Sequence, residues 1–447
     1  MRTALKLIST ALAVTIIWGT ASAQRRASGG ARQASGAKEV NQVKGAGPNR
    51  TVAVVGATLI DGRGGPAVAD SVVVVRGDRI VAAGTRASVR VPASAEVFEA
   101  RGLTLLPGLI DAHFHIDGDD PLPALFLSHG VTSLRDPGQW IEAYDAASAA
   151  SATAPVPRLF LTGPHLDSPP PAYPADSYVV RDADEARLAV KRFAEQGASA
   201  FKVYFRLPVG LIRVVCEEAH RRGLPVTSHL EIVDAGDAIR AGVDGVEHVT
   251  SFGTALLPAR EAEKYRQSVL ADNAARREGR YEVWNKADLD GPRAQAVIKL
   301  MVEHGTYLSP TLAIFERRAG DKDTTDVHLN GYKKMLDFTA RARRAGVRVV
   351  VGSHSAVPHA ERGWAYQREL ELLVEAGLTP MQAIVAGTSE NARFFHVEER
   401  LGSVEPGKLA DLLFVEGDPL KEIGVMRNVR RVMLGGVWVF GAEARGK

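Results

Sequence analysis

The feature that most constrains this 447-residue chain is a regular alternation of strand and helix patterns between residues 103 and 391. Most of the helix patterns stop at a glycine, which favours the left-handed conformation just beyond a helix C-terminus. The predicted strands are Leu103–His115, Val131–Leu134, Arg158–Leu161, Ala200–Tyr204, Pro225–His229, Gly245–Val249, Tyr307–Leu312 and Val347–Gly352. The predicted helices are Leu122–His129, Ile141–Ala150, Asp182–Gln196, Pro208–Arg222, Ala235–Ala241, Arg293–His304, Gly331–Ala345 and Trp364–Ala376.

Eight strands, each followed by a helix, predict an α/β fold in which residues 103–397 form a (β/α)8 TIM barrel. An open, doubly wound sheet is the structural alternative, but no glycine-rich nucleotide loop follows any strand. Short β-branched runs separated by turn residues flank this region, in residues 50–102 and again in 398–447. Too few strands lie on either side to close a sandwich, so we predict one small β-sandwich domain built from both termini.

The N-terminal residues predict export. Residues 1–23 read as a secretory signal peptide, with Arg2 and Lys6 before an apolar run and Ala21-Ser22-Ala23 as the cleavage site. The run is too short to span a bilayer, so we expect a soluble periplasmic or secreted protein with no stable membrane anchor. Residues 24–49 are rich in Gly, Ala, Ser and Arg and are predicted to be flexible. Cys216 is the single cysteine, which excludes an intrachain disulfide.

The distribution of charge argues against a nucleic-acid partner. The formal net charge is +3, but eight of the 55 basic residues and one of the 52 acidic residues fall within the first 50 positions. The remainder therefore has a net charge of −4 and is mildly acidic. A nucleic-acid-binding surface needs a basic patch, and the predicted folded part has none.

Histidines gather at the ends of the predicted strands. Five of the 12 histidines occupy such positions: His113, His115, His229, His248 and His354. A single His-x-His pair is most simply an ordinary strand-to-loop junction, because two-residue motifs recur by chance. In a barrel, however, the C-terminal strand ends meet at one rim. Several neutral imidazoles held there on rigid strands can bind a divalent metal and leave one position open for water.

Lys202 is unusual because it lies inside an apolar strand, between Phe201 and Val203. A buried ammonium is costly unless it is paired. One interpretation is that the side chain reaches the rim or pairs with a carboxylate. The interpretation we favour, given the surrounding histidines, is that CO2 carbamylates Lys202 to give an anionic bridge between two metals.

These motifs together resemble the amidohydrolase superfamily of metal-dependent hydrolases, nearest its imidazolonepropionase-like and Xaa-Pro dipeptidase-like branch. The resemblance runs from about Val52 to Phe440 in motif order. The matching segments are Pro107-Gly108-Leu109-Ile110-Asp111-Ala112-His113-Phe114-His115, Gly130-Val131-Thr132-Ser133-Leu134-Arg135-Asp136, Phe201-Lys202-Val203-Tyr204, His229, Gly245-Val246-Glu247-His248, Pro310-Thr311-Leu312 and Leu401-Gly402-Ser403-Val404-Glu405-Pro406-Gly407-Lys408-Leu409-Ala410-Asp411-Leu412.

The resemblance implies a barrel with a flanking β-sandwich and one or two divalent metals, commonly zinc. His113 and His115 would bind the more buried metal, and His229 and His248 the other. Carbamylated Lys202 and a hydroxide would bridge the two ions. The metal-activated hydroxide would then attack the carbonyl carbon of an amide, dipeptide or cyclic amide.

His354 departs from the family pattern. The family usually has Gly-Thr-Asp after strand 8, with the Asp as metal ligand and general base, whereas this chain has Gly352-Ser353-His354. An imidazole can bind a divalent metal as a carboxylate does, but it lacks the free oxygen that would carry the proton. His354 is therefore a candidate metal ligand and catalytic residue. His359, Asp136 and Asp117 are candidate proton carriers.

Substrate recognition is assigned to loops at the barrel mouth. The loop Gly163–Arg181 follows strand 3 and contains His165, a candidate substrate-binding residue, although a proline-stiffened spacer is an equal alternative. Tyr204 is expected either to donate to a substrate carbonyl or to pack at the rim. The charged insertion Thr254–Pro292 is interpreted as a surface helix or helix pair with no role in the site. Trp364, Tyr366 and Glu369 are expected mainly to pack in the core.

The sequence therefore predicts a hydrolase that cleaves carbon–nitrogen bonds in small-molecule amides or peptides. Two alternatives stay open. One is a deaminase or deacetylase of the same fold that uses one metal, and the other is a catalytically impaired metal- or ligand-binding homologue, because of His354. The exact substrate, the metal and the oligomeric state, a homo-oligomer included, are also left open.

Overall fold

A computed structural model describes residues 39–41, 43–145 and 155–441. The strands are β1 Thr51–Leu59, β2 Val68–Arg76, β3 Arg79–Thr85, β4 Glu96–Glu99, β5 Leu103–Pro107, β6 Leu109–Asp111, β7 Val131–Asp136, β8 Arg158–Leu161, β9 His165–Asp167, β10 Ser177–Val179, β11 Phe201–Val203, β12 Val226–His229, β13 Gly245–Glu247, β14 Tyr307–Ser309, β15 Arg348–Val349, β16 Leu412–Glu416, β17 Val429–Leu434 and β18 Val437–Phe440. The helices are α1 Leu122–Ser128, α2 Ala183–Glu195, α3 Val209–His220, α4 Ala235–Ala241, α5 Gly253–Leu256, α6 Ala259–Ala271, α7 Arg276–Lys286, α8 Pro292–His304, α9 Leu312–Phe315, α10 Asp326–Arg344, α11 Ala365–Glu375, α12 Pro380–Val385 and α13 Asn391–Phe394.

Strands from both ends of the chain form one sheet. Its order is β18-β17-β16-β5-β1-β2-β3, and β4 pairs with β1. Alternate residues of β1 face two separate apolar clusters, as the two-residue period of a strand requires. Val52 and Val54 belong to one cluster, and Ala53 and Val55 belong to the other. Both faces of β1 are therefore covered. The predicted signal peptide, residues 1–23, lies outside the described residues.

The parallel strands of the α/β region form two sheets. One has the order β6-β7-β8, and the other β10-β9-β11-β12-β13-β14-β15. Backbone hydrogen bonds also connect their edges: Ala112 N–H donates to the Val351 carbonyl at 2.9 Å, and Ser199 N–H donates to the Leu161 carbonyl at 2.7 Å. The observed architecture is α/β with parallel, barrel-like strand order. Its strands are grouped as two sheets rather than one closed ring.

The predicted first strand, Leu103–His115, is wrong as a single element. The structure divides it at Gly108, so that β5 pairs with β1 and β16 of the terminal sheet while β6 pairs with β7. A Cβ atom at Gly108 would overlap the Thr132 side chain, so only glycine allows this close approach. One apolar run therefore contributes a strand to each of two sheets. Its uniformly apolar composition does not indicate that it is divided at Gly108.

Several element boundaries differ from the prediction for local reasons. Helix α4 has the predicted ends, whereas α10 begins five residues before the predicted Gly331. Strand β14 stops at Ser309 because Pro310 follows and Thr311 has a φ of +47°. The predicted helix Ile141–Ala150 begins as a short 3-10 helix, Ile141–Tyr144, and its last residues lie outside those described.

The segment Gly163–Arg181, predicted as a loop, contains two strands, whereas the insertion Thr254–Pro292 forms helices as predicted. The loop Gly163–Arg181 contains β9 and β10, which extend the larger parallel sheet beside β11. The insertion Thr254–Pro292 folds into α6 and α7, and α7 packs against α10. Among the described residues, no helix is both long enough and apolar enough to cross a membrane.

Arg158 of β8 joins the parallel strands to the terminal sheet. Its Nε and Nη2 donate to the two carboxylate oxygens of Asp411 at 2.7 and 3.0 Å, and its Nη1 donates to Glu39 at 3.0 Å. Asp411 also accepts a hydrogen bond from Gly435 N–H at 2.7 Å. Because Arg158 and Asp411 are each 5% exposed, this bidentate pair is almost fully removed from water.

We expect Asp411→Ala to lower the free energy of unfolding by about 3 kcal/mol, since it leaves a buried guanidinium without its bidentate partner. Glu303→Ala is the control: Glu303 pairs at 3.6 Å with Lys299 on the surface of α8, and its removal is expected to change stability by less than about 0.5 kcal/mol. Urea titration measures both values. Equal effects of the two substitutions would show that Arg158 does not connect the sheets energetically.

Candidate metal centre

One cavity collects most of the sequence-predicted site residues. Its volume is about 480 Å³. The predicted residues that line it are His113, His115, His165, Lys202, Tyr204, His229, His248 and His354. Six of them end a strand or follow one, namely β6, β11, β12, β13 or β15, whereas Lys202 lies within β11 and His165 begins β9. The strands thus bring distant parts of the sequence together. The convergence expected from the strand-end pattern is therefore present.

His113 and His115 point their ring nitrogens at a common position. Their Nε2 atoms are 3.0 Å apart, and their other nitrogens are held by carboxylates. His113 Nδ1 contacts the carboxylate of Glu247, and His115 Nδ1 lies 3.2 Å from Asp136 Oδ1. A carboxylate on the far nitrogen fixes the tautomer and the orientation of a metal-binding imidazole. Each Nε2 is thus left as the ligand atom.

His354 joins this pair although it is distant in sequence. One ring nitrogen from each of His113, His115 and His354 lies within 4.8 Å of the other two. The His354 ring stacks on that of His113 at 5.3 Å between centroids, and its backbone N–H donates to the His113 carbonyl at 2.7 Å. His354 has a φ of +58°, an uncommon conformation for a residue with a side chain. Such strain is typical of functional sites that the surrounding structure holds in place.

His229 and His248 form a second imidazole pair in the same cavity. Their ring centroids are 4.4 Å apart, and His248 is 4.5 Å from His113. His248 Nδ1 lies 2.7 Å from Thr311 Oγ1, and His229 Nε2 lies 3.3 Å from Glu231 Oε1. Each ring therefore has one nitrogen engaged by a neighbouring side chain and the other free to act as a ligand.

Lys202 lies beneath the histidines, 1% exposed. Its Nζ is 3.9 Å from Glu247 Oε2, and Arg135 Nη2 donates to the other oxygen of Glu247 at 3.1 Å. Burial lowers the pKa of Lys202 to about 8, against the attraction of Glu247. Two basic groups thus share one carboxylate, and the structure shows the carboxylate pairing that the first interpretation of Lys202 expected.

Burial keeps most of these imidazoles neutral. Desolvation, together with the nearby positive charges, lowers the pKa of His113, His248 and His354 well below the usual value, and lowers that of His229 to about 4. At His115 burial is outweighed by the attraction of Asp136, which raises the pKa. Neutral imidazole is the form that binds a metal.

Asp111 fixes the two ends of the cluster to each other. Its Oδ1 accepts hydrogen bonds from His113 N–H at 3.0 Å and from Ser353 N–H at 2.9 Å. Asn391 adds a second connection, because its side-chain amide donates to the carbonyls of Ile110 and of Val351. The segment carrying the His-x-His pair and the segment carrying His354 are therefore positioned as a unit.

The outer wall of the cavity is partly aromatic. The rings of His165 and Tyr204 stack at 4.1 Å, and Tyr173 is 5.9 Å from Tyr204. His165 and Tyr204, the two predicted substrate-binding residues, thus lie beside each other and within reach of the imidazoles. The Tyr204 ring is 4.9 Å from that of His229.

Three predictions on individual residues have different outcomes. His359 does not line the cavity: its Nε2 is 3.0 Å from Asp321 Oδ2, because the chain after His354 turns away toward that loop. The prediction that the insertion Thr254–Pro292 has no role in the site is wrong, since Arg276, Arg277 and Arg280 line the cavity. Core packing of Tyr366 and Glu369, both 0% exposed, is confirmed.

Sequence reasoning also missed the groups that hold the histidines. Glu247 and Glu231 are buried at 0% and 2% exposure, and both contact cavity histidines. Glu247 was visible as a carboxylate inside the segment Val246-Glu247-His248, and its position within a strand was a usable signal. The arginines of α7 gave no such signal, because folding of the insertion over the cavity is a tertiary effect.

The residues present fit a divalent metal. Two nitrogens at 2.0–2.1 Å from a tetrahedral zinc ion are roughly 3.3 Å apart, close to the 3.0 Å between His113 Nε2 and His115 Nε2. Several neutral imidazoles backed by carboxylates and next to an open cavity are typical of a catalytic metal site rather than of a closed structural one.

The sequence profile of the amidohydrolase family matches residues 104–439. The chain therefore belongs to the amidohydrolase family, whose members are metal-dependent, and it is a hydrolase that acts on carbon–nitrogen bonds.

Individual relatives agree with this assignment. Ochratoxinase of Aspergillus niger is 26% identical over 396 residues, which cover 73% of this chain and 73% of that protein. The crystal structure of a putative prolidase from Bifidobacterium longum has a TM-score of 0.68 at 25% identity and covers 88% of this chain and 95% of the other. The crystal structure of A. niger ochratoxinase has a TM-score of 0.69 at 21% identity, and the match covers 89% of this chain and 97% of the other.

We expect Asp136→Asn to weaken metal binding about 10- to 100-fold, because the neutral amide no longer orients His115 and no longer increases its basicity. Competition with a metal chelator measures the affinity. Asp119→Asn is the control, since Asp119 pairs with Arg362 at the surface. An Asp136→Asn protein that folds normally and keeps full metal affinity would remove Asp136 from the metal centre.

Proposed function

We propose that this chain is a metal-dependent amidohydrolase that cleaves the carbon–nitrogen bond of small amides, dipeptides or cyclic amides. The observation that carries the proposal is the convergence of five histidines and Lys202 on one open cavity of about 480 Å³. Relatives named as an ochratoxinase and a putative prolidase support hydrolysis of a small substrate.

We assign the metal to zinc, with one or two ions, since imidazole-rich sites of this kind suit zinc. His113, His115 and His354 would hold the inner ion, because their nitrogens are mutually closest. His229 and His248 would hold the second. Carbamylated Lys202 would lie between the two groups: its amine adds to CO2, releases one proton and becomes an anionic carbamate.

The bound metal would acidify water near neutral pH and polarise the substrate carbonyl. The chain supplies orientation and proton transfer. The stacked rings of Tyr204 and His165 would position the amide, and Tyr204 O–H would donate to its carbonyl oxygen. His354, held by its backbone bond to His113, serves as a ligand and not as the proton carrier.

We assign the transfer of the proton from the attacking water to the departing amine to Asp117. Of the three candidate carriers, Asp136 is occupied by His115, by Ile116 N–H and by Tyr144 O–H, and His359 is paired with Asp321 outside the cavity. Asp117 lines the cavity and is exposed. Its carboxyl oxygen would accept a proton on attack and return it to the departing amine.

The finer architecture and the location are also proposals. We propose that the eight strands β6, β7, β8, β11, β12, β13, β14 and β15 form one closed (β/α)8 barrel, with the terminal sheet as a β-sandwich. The hydrogen bonds that join the edges of the two parallel sheets support closure. From the signal-peptide pattern of residues 1–23 we propose that the protein is exported and is either periplasmic or secreted.

We expect His113→Ala and His248→Ala to abolish both turnover and metal loading, because each removes an imidazole from the centre of the cluster. Turnover is measured on a panel of dipeptides, N-acyl amino acids and cyclic amides, and metal content by elemental analysis. His220→Ala is the control, since His220 lies on α3 and pairs with Asp244 away from the cavity.

Retained turnover and unchanged metal content in His248→Ala would contradict the assignment. An inactive wild-type chain whose His354→Asp variant turns over would instead identify an impaired, ligand-binding homologue.

We further expect two metal ions per chain after reconstitution with bicarbonate, and at most one when CO2 is excluded, because only the carbamate of Lys202 is an anionic bridge. Lys202→Gln should give the lower stoichiometry under both conditions. Metal analysis and intact mass, which detects the added CO2, measure these outcomes. One ion with full activity in the absence of CO2 would favour the mononuclear deaminase or deacetylase alternative.

A further inference from the structure

Three arginines of α7 form one wall of the cavity: Arg276, Arg277 and Arg280. Arg280 is four residues from Arg276 and three from Arg277, spacings at which side chains are neighbours on a helix surface. Like charges on one helix face destabilise the helix. We refer to these three residues as the arginine wall, and its composition calls for a negatively charged partner.

Arg276 is the buried member of the arginine wall, at 7% exposure. Its guanidinium donates to the Tyr173 hydroxyl and lies 5.3 Å from the centroid of that ring and 5.7 Å from that of Phe205. Its Nε has no hydrogen-bond partner among the described residues, and none of their carboxylates forms an ion pair with it. A buried charge without a counter-charge is costly, so the fold leaves this group uncompensated.

The other two arginines differ from Arg276. Arg280 is compensated, because its Nη2 donates at 3.2 Å to Glu231, which also accepts from the Tyr265 hydroxyl at 2.5 Å. Arg277 is exposed and makes no ion pair within the part of the chain that the structure describes. Burial, with repulsion from Arg280 and Arg277, lowers the pKa of Arg276 to about 9. Among the arginines of this wall, Arg276 is therefore the buried one without a counter-charge from the described residues.

We propose that Arg276, assisted by Arg277, binds a carboxylate of the substrate. The preferred substrates are therefore N-acyl amino acids or short peptides with a free C-terminal carboxylate, rather than neutral amides. This inference rests on the proposed function, because the same cavity holds the histidines and the arginine wall. A guanidinium matches a carboxylate through two parallel N–H donors, and a desolvated pair of this kind is stronger than a neutral hydrogen bond.

The substrate would lie between two chemically different ends of one cavity. The amide carbonyl faces the imidazoles, and the carboxylate faces Arg276. Phe315, which lies 5.1 Å from the Arg280 guanidinium, and Tyr173 supply apolar surface next to the arginines. The acyl group and the amino-acid side chain would therefore contact aromatic rings, and specificity would depend on the carboxylate.

The test compares substrate pairs that differ only in the terminal group: N-benzoyl amino acids and dipeptides, each as the free acid and as the C-terminal amide. Cleavage of the shared acyl–nitrogen bond is followed by chromatography. We expect the wild-type enzyme to have a kcat/KM at least tenfold higher for the acids. We expect Arg276→Gln to lower kcat/KM about 10- to 100-fold for the acids and less than about threefold for the amides.

Two further variants separate the role of Arg276 from general effects. Arg276→Lys keeps the positive charge but not the planar set of guanidinium donors. Its kcat/KM for the acids should therefore fall less than that of Arg276→Gln. Lys286→Gln removes one positive charge from the exposed end of the same helix and should leave all rates unchanged. Arg277→Gln, at an exposed position that folding tolerates, should reduce the preference for acids by a smaller factor.

Equilibrium binding distinguishes failure of this inference from failure of the proposed function. Calorimetry with N-benzoyl amino acids is carried out on protein stripped of metal by a chelator. Cleavage of acids and amides at equal rates, or equal losses on both in Arg276→Gln, would overturn the carboxylate assignment while leaving the hydrolase intact. Absence of turnover together with carboxylate binding that Arg276→Gln abolishes would contradict the proposed function and support the arginine site.

Discussion

The interior of the site depends on the carboxylate of Glu247. It is fully buried and contacts three basic groups from three elements: His113 after β6, Arg135 of β7 and Lys202 of β11. Because Coulomb interactions strengthen as the dielectric constant falls, one carboxylate there offsets charges that would otherwise be too costly to bury. Two further carboxylates act on the same cations: Asp111 on Arg135 and Asp136 on Lys202.

The histidines of the cavity are held by backbone geometry as well as by charge. Asp111 connects the His113 and Ser353 backbones, and His248, His354 and Thr311 adopt positive φ angles of 64°, 58° and 47°. Residues with side chains hold such angles at a cost of about 1–3 kcal/mol each, which the surrounding packing must offset. Such angles at three residues that follow strands of the parallel sheets show that the surrounding structure holds these positions firmly.

The parts of the site that depend on strand geometry could be predicted from the sequence. His113, His229 and His248 follow separate strands, and parallel strands bring their ends to one edge whatever the loops do. The position of Lys202 was predictable because an ammonium inside an apolar strand needs a partner, and such a partner was expected at the strand ends. His354 was predictable as a position, although its role depends on the resemblance.

What could not be predicted depends on how connecting segments fold back on the strands. His359 lies five residues after His354, and sequence proximity suggested a shared site, but the intervening turn directs it to Asp321. The charged insertion looked like a solvated surface because charge is usually exposed. The contacts of α7 with α10 and with the aromatic residues Tyr173 and Phe205 instead place Arg276 at the cavity. Local pattern gives no information about such contacts.

The residues assigned to the chemistry and the residues assigned to substrate specificity come from different parts of the fold. The imidazoles, Lys202 and Glu247 belong to strands of the parallel sheets or to the turns that follow them, and movement of one would disturb the others. The arginine wall belongs to an inserted helix, which can change without altering those strands. Relatives that share the strand-end residues need not share Arg276, so their substrates are a weak guide to the substrate of this chain. The helix that covers the cavity is the better guide, because the buried charge it carries needs an anion that the fold itself does not provide.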